Sequence, residues 1–236
     1  MSGERMNETL ESVRDRRAVL KNGLVLTGAL AVPGAVSAAG KPQVEGMKLP
    51  QPLRPAGVAA APITSPRVVR PELLRRAMAA LDRHSGQIRN RDRIAIADFA
   101  APSAQRRFHL VNLIDGSSTS FLVAHGSGSD PSHTGWLNRF SNAPGSNASC
   151  EGAFVTDNYY VGKHGRSQRL MGLDPTNDNA LARAIVVHAA WYSNPDMLAT
   201  HGMLGRSQGC FAVGEADLPR VFDRLGEGRM IYAAKI

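Results

Sequence analysis

The sequence predicts a mainly-β α+β fold with peripheral helices, and three observations favour it. Short apolar runs typical of strands outnumber the stripes typical of helices. Strand and helix candidates do not alternate regularly, as they would in a doubly wound parallel sheet. No internal repeat is present. With 236 residues, the chain is long enough for one sizeable domain with extensions.

Residues 1–39 have the pattern of a signal peptide. The charged segment Asp15–Lys21 precedes an apolar run at 23–36, and small residues follow at 35–39. The pair Arg16-Arg17 resembles the twin-arginine export signal. The apolar run is shorter than the roughly 20 residues that span a bilayer. We therefore expect cleavage, export to the periplasm, and no integral membrane span in the mature protein.

Residues 40–70 are rich in proline, which disfavours helices and central strands. We expect either an extended linker or an arm that lies along the following domain, because apolar side chains such as Val58 and Val69 could fix it there. The remaining residues, 71–236, are expected to form the folded domain.

The first half of that domain contains a helix and three strands. Pro71 suits the first turn of a helix that runs to His84. The turn at Asp115–Ser118 separates two strand candidates and predicts a hairpin. The long polar stretch 125–149 contains Trp136, Leu137 and Phe140, so we expect an ordered loop. The predicted strands are Arg93–Phe99, Phe108–Ile114 and Thr119–Ala124.

The second half contains further short elements. Ala184–His188 is a nearly all-apolar strand that ends in a histidine. One or two helical turns are expected at Pro195–His201, and a helix at Glu215–Leu225. Met230–Ala234 is the last predicted strand.

The chain is basic, with a formal net charge of +8. Residues 1–39 contain five basic and four acidic side chains, so the remainder is basic in its own right. Such a surface favours nucleic acid, anionic lipid or an anionic wall polymer. Aromatic residues are only 6% of the chain and are not interleaved with basic runs, so we do not expect nucleic acid as a partner.

Cys210 and His188 are the residues best suited to chemistry. A thiol becomes a useful nucleophile when a neighbour generates its thiolate. Cys210 lies in G-R-S-Q-G-C-F, where Gly209 permits a tight turn whose amides can face a developing oxyanion. His188 ends an apolar strand, which holds a side chain rigidly. A lone cysteine is otherwise more often buried and inert, and this is our interpretation of Cys150.

The motifs resemble those of murein L,D-transpeptidases of the YkuD type. That family has a histidine on a strand and, about twenty residues later, S-H-G-C. This chain has V-V-H-A-A-W at 186–191 and S-Q-G-C at 207–210. The segments 129–142 and 162–167 look like a distinct proteobacterial branch, and the resemblance covers about 93–236. It implies a β-sandwich with peripheral helices and a catalytic domain at 71–236.

The resemblance also implies roles for individual residues. Cys210 would attack a donor stem peptide of peptidoglycan and form a thioester, with His188 as the base. The carbonyl of Ala189 would orient the imidazole. The amides of Gly209 and Cys210 would bind the oxyanion, and Ser207 would brace the turn. The product would be a 3–3 crosslink between two meso-diaminopimelate residues or a 1–3 crosslink from L-alanine to meso-diaminopimelate.

Two positions depart from the family pattern. Gln208 stands where the family has histidine, and Ala212 stands where it has arginine or asparagine. The base must therefore be the distant His188, and Arg206 or another cation is expected to replace the missing polar group. The expected substrate-binding residues are Tyr160, His164, Arg166, Arg206, Gln208 and Trp191.

Three other functions are alternatives to an L,D-transpeptidase. A zinc peptidase is disfavoured because no H-E-x-x-H motif occurs. A papain-like peptidase is disfavoured because His188 precedes Cys210 along the chain. A wall-binding protein that kept the fold and lost activity stays open because of Gln208 and Ala212. A disulfide between Cys150 and Cys210 also stays open as a regulatory device. We expect no cofactor, no metal and a monomer.

Overall fold

The computed structural model describes residues 68–236. The expected signal peptide and residues 40–67 of the proline-rich segment lie outside the described residues. At the end of that segment, Val69 is buried and the Arg70 guanidinium pairs with the Asp98 carboxylate at 2.6 Å. These last residues of the segment are therefore already packed on the domain.

Eight β-strands and three α-helices form the described part of the chain. The helices are α1 (Pro71–Arg83), α2 (Asp196–His201) and α3 (Leu218–Leu225). The strands are β1 (Arg93–Asp98), β2 (Phe108–Asn112), β3 (Ser118–Phe121), β4 (Gly152–Gly162), β5 (Gly165–Gly172), β6 (Val186–Ala189), β7 (Phe211–Val213) and β8 (Met230–Ala234).

All eight strands belong to one mixed sheet, in the order β3-β2-β1-β8-β4-β5-β6-β7. Two neighbouring pairs, β1 with β8 and β6 with β7, are parallel, and the other pairs are antiparallel. Beyond β3, the Ala124 amide donates to the Ala212 carbonyl of β7 at 2.9 Å. This bridge links the chain at one edge of the sheet to the strand at the other edge, so the sheet curls back on itself.

The curled sheet encloses the larger of two main apolar cores. This inner core contains buried side chains from every strand and the apolar face of α3. Phe211 lies in its middle, with ring centroids 5.4 Å from Phe154 and 6.0 Å from Phe108. The alternating side chains of each strand explain how one face of the sheet supplies this core.

A second core lies on the other face of the sheet, under α1. Leu73, Ala77 and Leu81 of α1 are buried against Ile94, Ile96 and other outward-facing strand residues. These positions follow the i, i+4, i+8 spacing of one helical face. The mainly-β architecture with peripheral helices agrees with the fold class that the sequence predicts.

Most predicted elements are confirmed, with shifted ends. The helix expected at 71–84 ends at Arg83, and the helix expected from Glu215 begins at Leu218 because Pro219 suits a first turn. The hairpin of β2 and β3 is confirmed. The stretch 125–149 contains only a short 3-10 helix at Ser127–Ser129, and Leu137 within it is fully buried.

Three strands, β4, β5 and β7, were not predicted. Strand β4 has one extra residue between Thr156 and Tyr159, which breaks the period of two that identifies a strand, and β5 is mostly polar, without a regular alternation of apolar residues. Strand β7 has three residues, too few to carry a period. Among the described residues, we find no helix that combines the length and the apolar character needed to cross a membrane.

Candidate active site

His188 and Cys210 come together because β6 and β7 are parallel neighbours. Val187 pairs with Phe211, and both side chains point into the inner core. Residues one step away in each strand point to the opposite face. His188 and Cys210, which immediately precedes β7, therefore share the outer face of the sheet.

Both side chains line one cavity of about 330 Å³. Its walls come from the β4–β5 hairpin, from the segment leading into β6, and from the turn that precedes β7. The lining residues are Tyr160, Lys163, His164, Arg183, Ala184, Val186, His188, Tyr192, Arg206, Ser207, Gln208 and Cys210.

The imidazole of His188 is held in one tautomer. Its Nδ1 lies 2.8 Å from the carbonyl oxygen of Ala189, which can only accept a hydrogen bond, so Nδ1 carries the proton. The Nε2 atom of the neutral ring then has a free lone pair. Burial lowers the pKa of His188 to about 4, and the carbonyl bond opposes this only in part. The ring is consequently a neutral proton acceptor at physiological pH.

The Cys210 thiol is half-buried and lies 3.6 Å from the carbonyl oxygen of Ala184. Burial raises its pKa, while the Val186 backbone and the charges of Lys163 and Arg183 act in the opposite direction. The thiol and the imidazole are therefore both neutral in the resting site. Attack by the sulfur requires that its proton be taken up during the reaction.

Ser207 braces the turn that contains the cysteine. Its hydroxyl donates to the Cys210 carbonyl at 2.8 Å and accepts from the Gly209 amide at 3.1 Å. The Gly209 amide is thus already engaged. The oxyanion role expected for this amide stays a prediction, and we identify no such hydrogen bond within the turn for the Cys210 amide.

The ordered stretch 125–149 supports the same turn from outside. The Ser207 amide donates to the His125 carbonyl at 2.9 Å, and the Ser127 amide donates to the Ser207 carbonyl at 2.8 Å. Arg206 adds bonds to the backbone carbonyls of Asp130 and Pro131. The long loop is therefore part of the architecture that positions Cys210.

A buried polar network fixes the start of that loop. The fully buried Arg107 donates to His125 Nδ1 at 2.7 Å and to the carbonyls of Val123 and Ala101. The guanidinium can only donate, so the His125 proton resides on Nε2, which faces the Asp130 carboxylate at 3.4 Å. Burial and the neighbouring Arg107 charge lower the pKa of His125 to about 4.

Four of the six predicted substrate-binding residues line this cavity, and the other two do not. Tyr160, His164, Arg206 and Gln208 line it. Arg166 instead stacks on Tyr159 and Phe222, with its guanidinium carbon 4.7 Å and 5.2 Å from the ring centroids. Strand alternation is the reason: Tyr160 pairs with Ser167 and Ser167 with His188 on one face, which directs Arg166 to the other face.

Trp191 is the second correction, because its side chain is 66% exposed and does not line the cavity. A 3-10 turn at Trp191–Ser193 places its neighbour Tyr192 there instead. Lys163 and Arg183 were also missed. Lys163 is adjacent to the predicted His164, whereas no local signal marks Arg183.

Arg183 connects the cavity to the second cysteine. Its guanidinium donates to the Ser141 carbonyl at 2.7 Å, to the Ala148 carbonyl at 2.6 Å, and to Cys150 Sγ at 2.8 Å. Cys150 is 1% exposed, as the interpretation of a small buried residue requires, and both cysteines are free. Within residues 68–236, no group of three or more His, Cys, Asp or Glu side chains is placed to hold a metal ion.

Comparisons with known proteins identify the family to which this geometry belongs. Residues 66–234 match the family model described as YkuD_2, L,D-transpeptidase catalytic domain. No curated protein matches the chain. Solved structures with similar folds include an L,D-transpeptidase from Mycobacterium smegmatis (13% identity, TM-score 0.37) and L,D-transpeptidase 3 from Mycobacterium tuberculosis (14% identity, TM-score 0.36). The matches cover 61% of this chain and 58% and 61% of those two chains, respectively.

Proposed function

The chain belongs to the family of L,D-transpeptidase catalytic domains, and on that premise we propose that it is a cysteine-dependent L,D-transpeptidase that crosslinks peptidoglycan stem peptides. The observation that carries the proposal is the pairing, in one cavity, of the Cys210 thiol with a neutral His188 whose tautomer is fixed by the Ala189 carbonyl. A positioned base beside a nucleophile is the arrangement that covalent acyl transfer needs.

Acylation begins when Cys210 Sγ attacks the carbonyl carbon that joins an L-centre to a D-centre in the donor stem. The thiol proton moves to His188 Nε2 as the carbon–sulfur bond forms. The tetrahedral oxyanion is stabilised by the Cys210 amide. When the carbon–nitrogen bond breaks, the His188 imidazolium returns the proton to the leaving amine, and a thioester remains on Cys210.

Transfer then repeats these steps in reverse. His188 takes a proton from the amine of an acceptor stem, the amine attacks the thioester carbonyl, and the thiol leaves in protonated form. A 3–3 crosslink forms when a meso-diaminopimelate donor is joined to the amine of a meso-diaminopimelate acceptor. A 1–3 crosslink forms when the new bond joins L-alanine and meso-diaminopimelate.

The charge of the cavity supports an anionic peptide as substrate. Its lining contains Lys163, Arg183 and Arg206, and none of the described lining residues is acidic. Stem peptides carry free carboxylates, which such cations attract. The signal peptide expected at residues 1–39 supports an extracytoplasmic location, and peptidoglycan stem peptides lie outside the inner membrane. The proposed route is twin-arginine export to the periplasm.

Muropeptide analysis tests the function directly. Walls are treated with purified protein or with its Cys210→Ala variant, and the crosslinks are separated and sequenced by mass spectrometry. We expect new crosslinks only with the active thiol, and their connectivity separates the 3–3 product from the 1–3 product. Identical crosslinks in the two walls would contradict the proposal.

A carbapenem provides a second readout, because a β-lactam carbonyl can acylate the same sulfur. We expect one adduct on Cys210, none on Cys210→Ala, and an unchanged adduct on Cys150→Ala. A folded protein that forms no adduct would instead favour the wall-binding alternative raised by Gln208 and Ala212.

A further inference from the structure

The imidazole of His188 has a second imidazole stacked on it. The ring centroids of His164 and His188 are 4.2 Å apart, and the ring planes make an angle of 21°. His164 lies in the turn between β4 and β5, at the tip of that hairpin. The two rings therefore come from different segments of the chain, and the position of the β4–β5 hairpin brings them into contact.

His164 is itself exposed, whereas His188 is 1% exposed although it lines an open cavity. The stacked ring is thus part of what separates His188 from solvent. A stacked pair of imidazoles also disfavours a positive charge on both rings at once, because like charges at this separation repel.

The turn that contains Cys210 lacks an imidazole of its own, since Gln208 stands where the family has histidine. The hairpin tip supplies one from the opposite wall of the cavity. We propose that His164 is a positioning residue that covers the His188 ring, shields it from solvent and holds it in the orientation set by the Ala189 carbonyl. The inference rests on the proposed function of His188 as the base.

Several charged or titratable groups, from the same hairpin and from other elements, face the same pair. Lys163 belongs to the same hairpin turn, and its charge lowers the pKa of both histidines. Burial is the largest cause of the low pKa of His188, and the His164 charge adds to it. The other groups that line the cavity around the pair are Tyr160, Arg183, Tyr192, Arg206 and Cys210.

The test compares His164→Ala, which removes the cover, with His164→Phe, which keeps a stacked ring but cannot be charged. The exposed His201 of α2, which does not line the cavity, gives the control His201→Ala. The titration of His188 is followed by NMR of its ring protons, assigned with His188→Gln. This measurement needs no substrate.

We expect the pKa of His188 to rise in His164→Ala by about one unit or more, toward the ordinary value for histidine, because water reaches the ring. His164→Phe should shift it by less than half as much, because burial persists. His201→Ala should leave it unchanged. An unchanged His188 titration in His164→Ala would refute the inference.

The rate of carbapenem acylation provides the functional readout. At pH 4.5, His164→Ala should react about three- to tenfold more slowly than the unaltered protein, since most of His188 is then protonated in the variant. At pH 8 the two rates should agree within about twofold. An equal loss at both pH values would indicate a different role for His164. If the unaltered protein forms no adduct, the proposed function fails, whereas the NMR titration still decides the contact between His164 and His188.

Discussion

Cys210 and His188 depend on neighbours that set their charge and orientation. The Ala189 carbonyl fixes the proton of His188 on Nδ1, and burial keeps the ring neutral. Burial likewise keeps Cys210 protonated, since it raises the thiol pKa. Both groups are therefore neutral in the resting site, and the mechanism that we propose passes a proton between them during the reaction. Ser207 has a different task, because its two hydrogen bonds set the shape of the turn.

The Ser207→Ala variant tests whether Ser207 sets the shape of this turn. The change removes the bonds to the Cys210 carbonyl and the Gly209 amide, each worth about 1 kcal/mol. We expect carbapenem acylation to slow by about tenfold, which corresponds to roughly 1.4 kcal/mol in the barrier. Stopped-flow measurement of acylation gives the rate. The exposed Ser85 offers the control Ser85→Ala, and equal rates in the two variants would contradict the bracing role.

At the scale of elements, the nucleophile turn and the 125–149 loop fit together through backbone. Gly209 has a φ of +109°, a conformation that residues with a Cβ rarely adopt. A Cβ added there would lie 2.6 Å from the Ala148 carbonyl oxygen, which is backbone and cannot swing aside. Arg183 holds that same Ala148 carbonyl at 2.6 Å. The glycine is required by the close contact of two segments.

Gly209→Ala should therefore damage both stability and activity. We expect a loss of about 1–3 kcal/mol from backbone strain, together with at least about a tenfold slower acylation of Cys210. Thermal unfolding and adduct formation measure the two effects. Gly86→Ala is the matched control, because no atom lies within 4 Å of the Cβ that it would add. A Gly209→Ala protein that behaves like this control would show that the turn tolerates a side chain.

For the whole molecule, the curled sheet separates two apolar cores and buries several histidines. His109, His125 and His188 all have a lowered pKa, and burial is the largest cause in each case. A histidine with a lowered pKa in the folded state binds fewer protons than it does in the unfolded chain. Folding stability therefore falls as the pH decreases from the unfolded pKa to the folded one.

Acid should thus weaken the fold between about pH 6.5 and pH 4. The pKa of His125 and of His188 is lowered to about 4, so each group contributes on the order of 3 kcal/mol that is lost across this range. Urea unfolding at pH 7, 6, 5 and 4 measures the loss. His188→Gln removes one titrating group and should flatten the dependence. A free energy of unfolding that stays constant over this range would contradict the neutral buried histidines.

The part of the structure that the sequence could predict differs between single residues, elements and the whole molecule. The sequence determined the mainly-β class, helix α1, the β2–β3 hairpin and the pairing of Cys210 with His188, because local periodicity and the order of two motifs encode them. Strand β4 escaped prediction because an extra residue interrupts its alternation, and strand β5 because its mostly polar sequence has none. The assignment of Arg166 and Trp191 to the cavity was wrong, since the face of a strand and the course of a 3-10 turn decide where neighbouring side chains point.

Only the tertiary structure brought Lys163 and Arg183 to the same cavity as Cys210. These side chains come from a hairpin tip and from the segment before β6, so no spacing along the chain connects them. The same holds for Arg107, His125 and Asp130, whose buried hydrogen bonds support the nucleophile turn. The sequence by itself singled out Cys210 and His188 as the candidate nucleophile and base, whereas the long-range packing of the curled sheet decided what surrounds them.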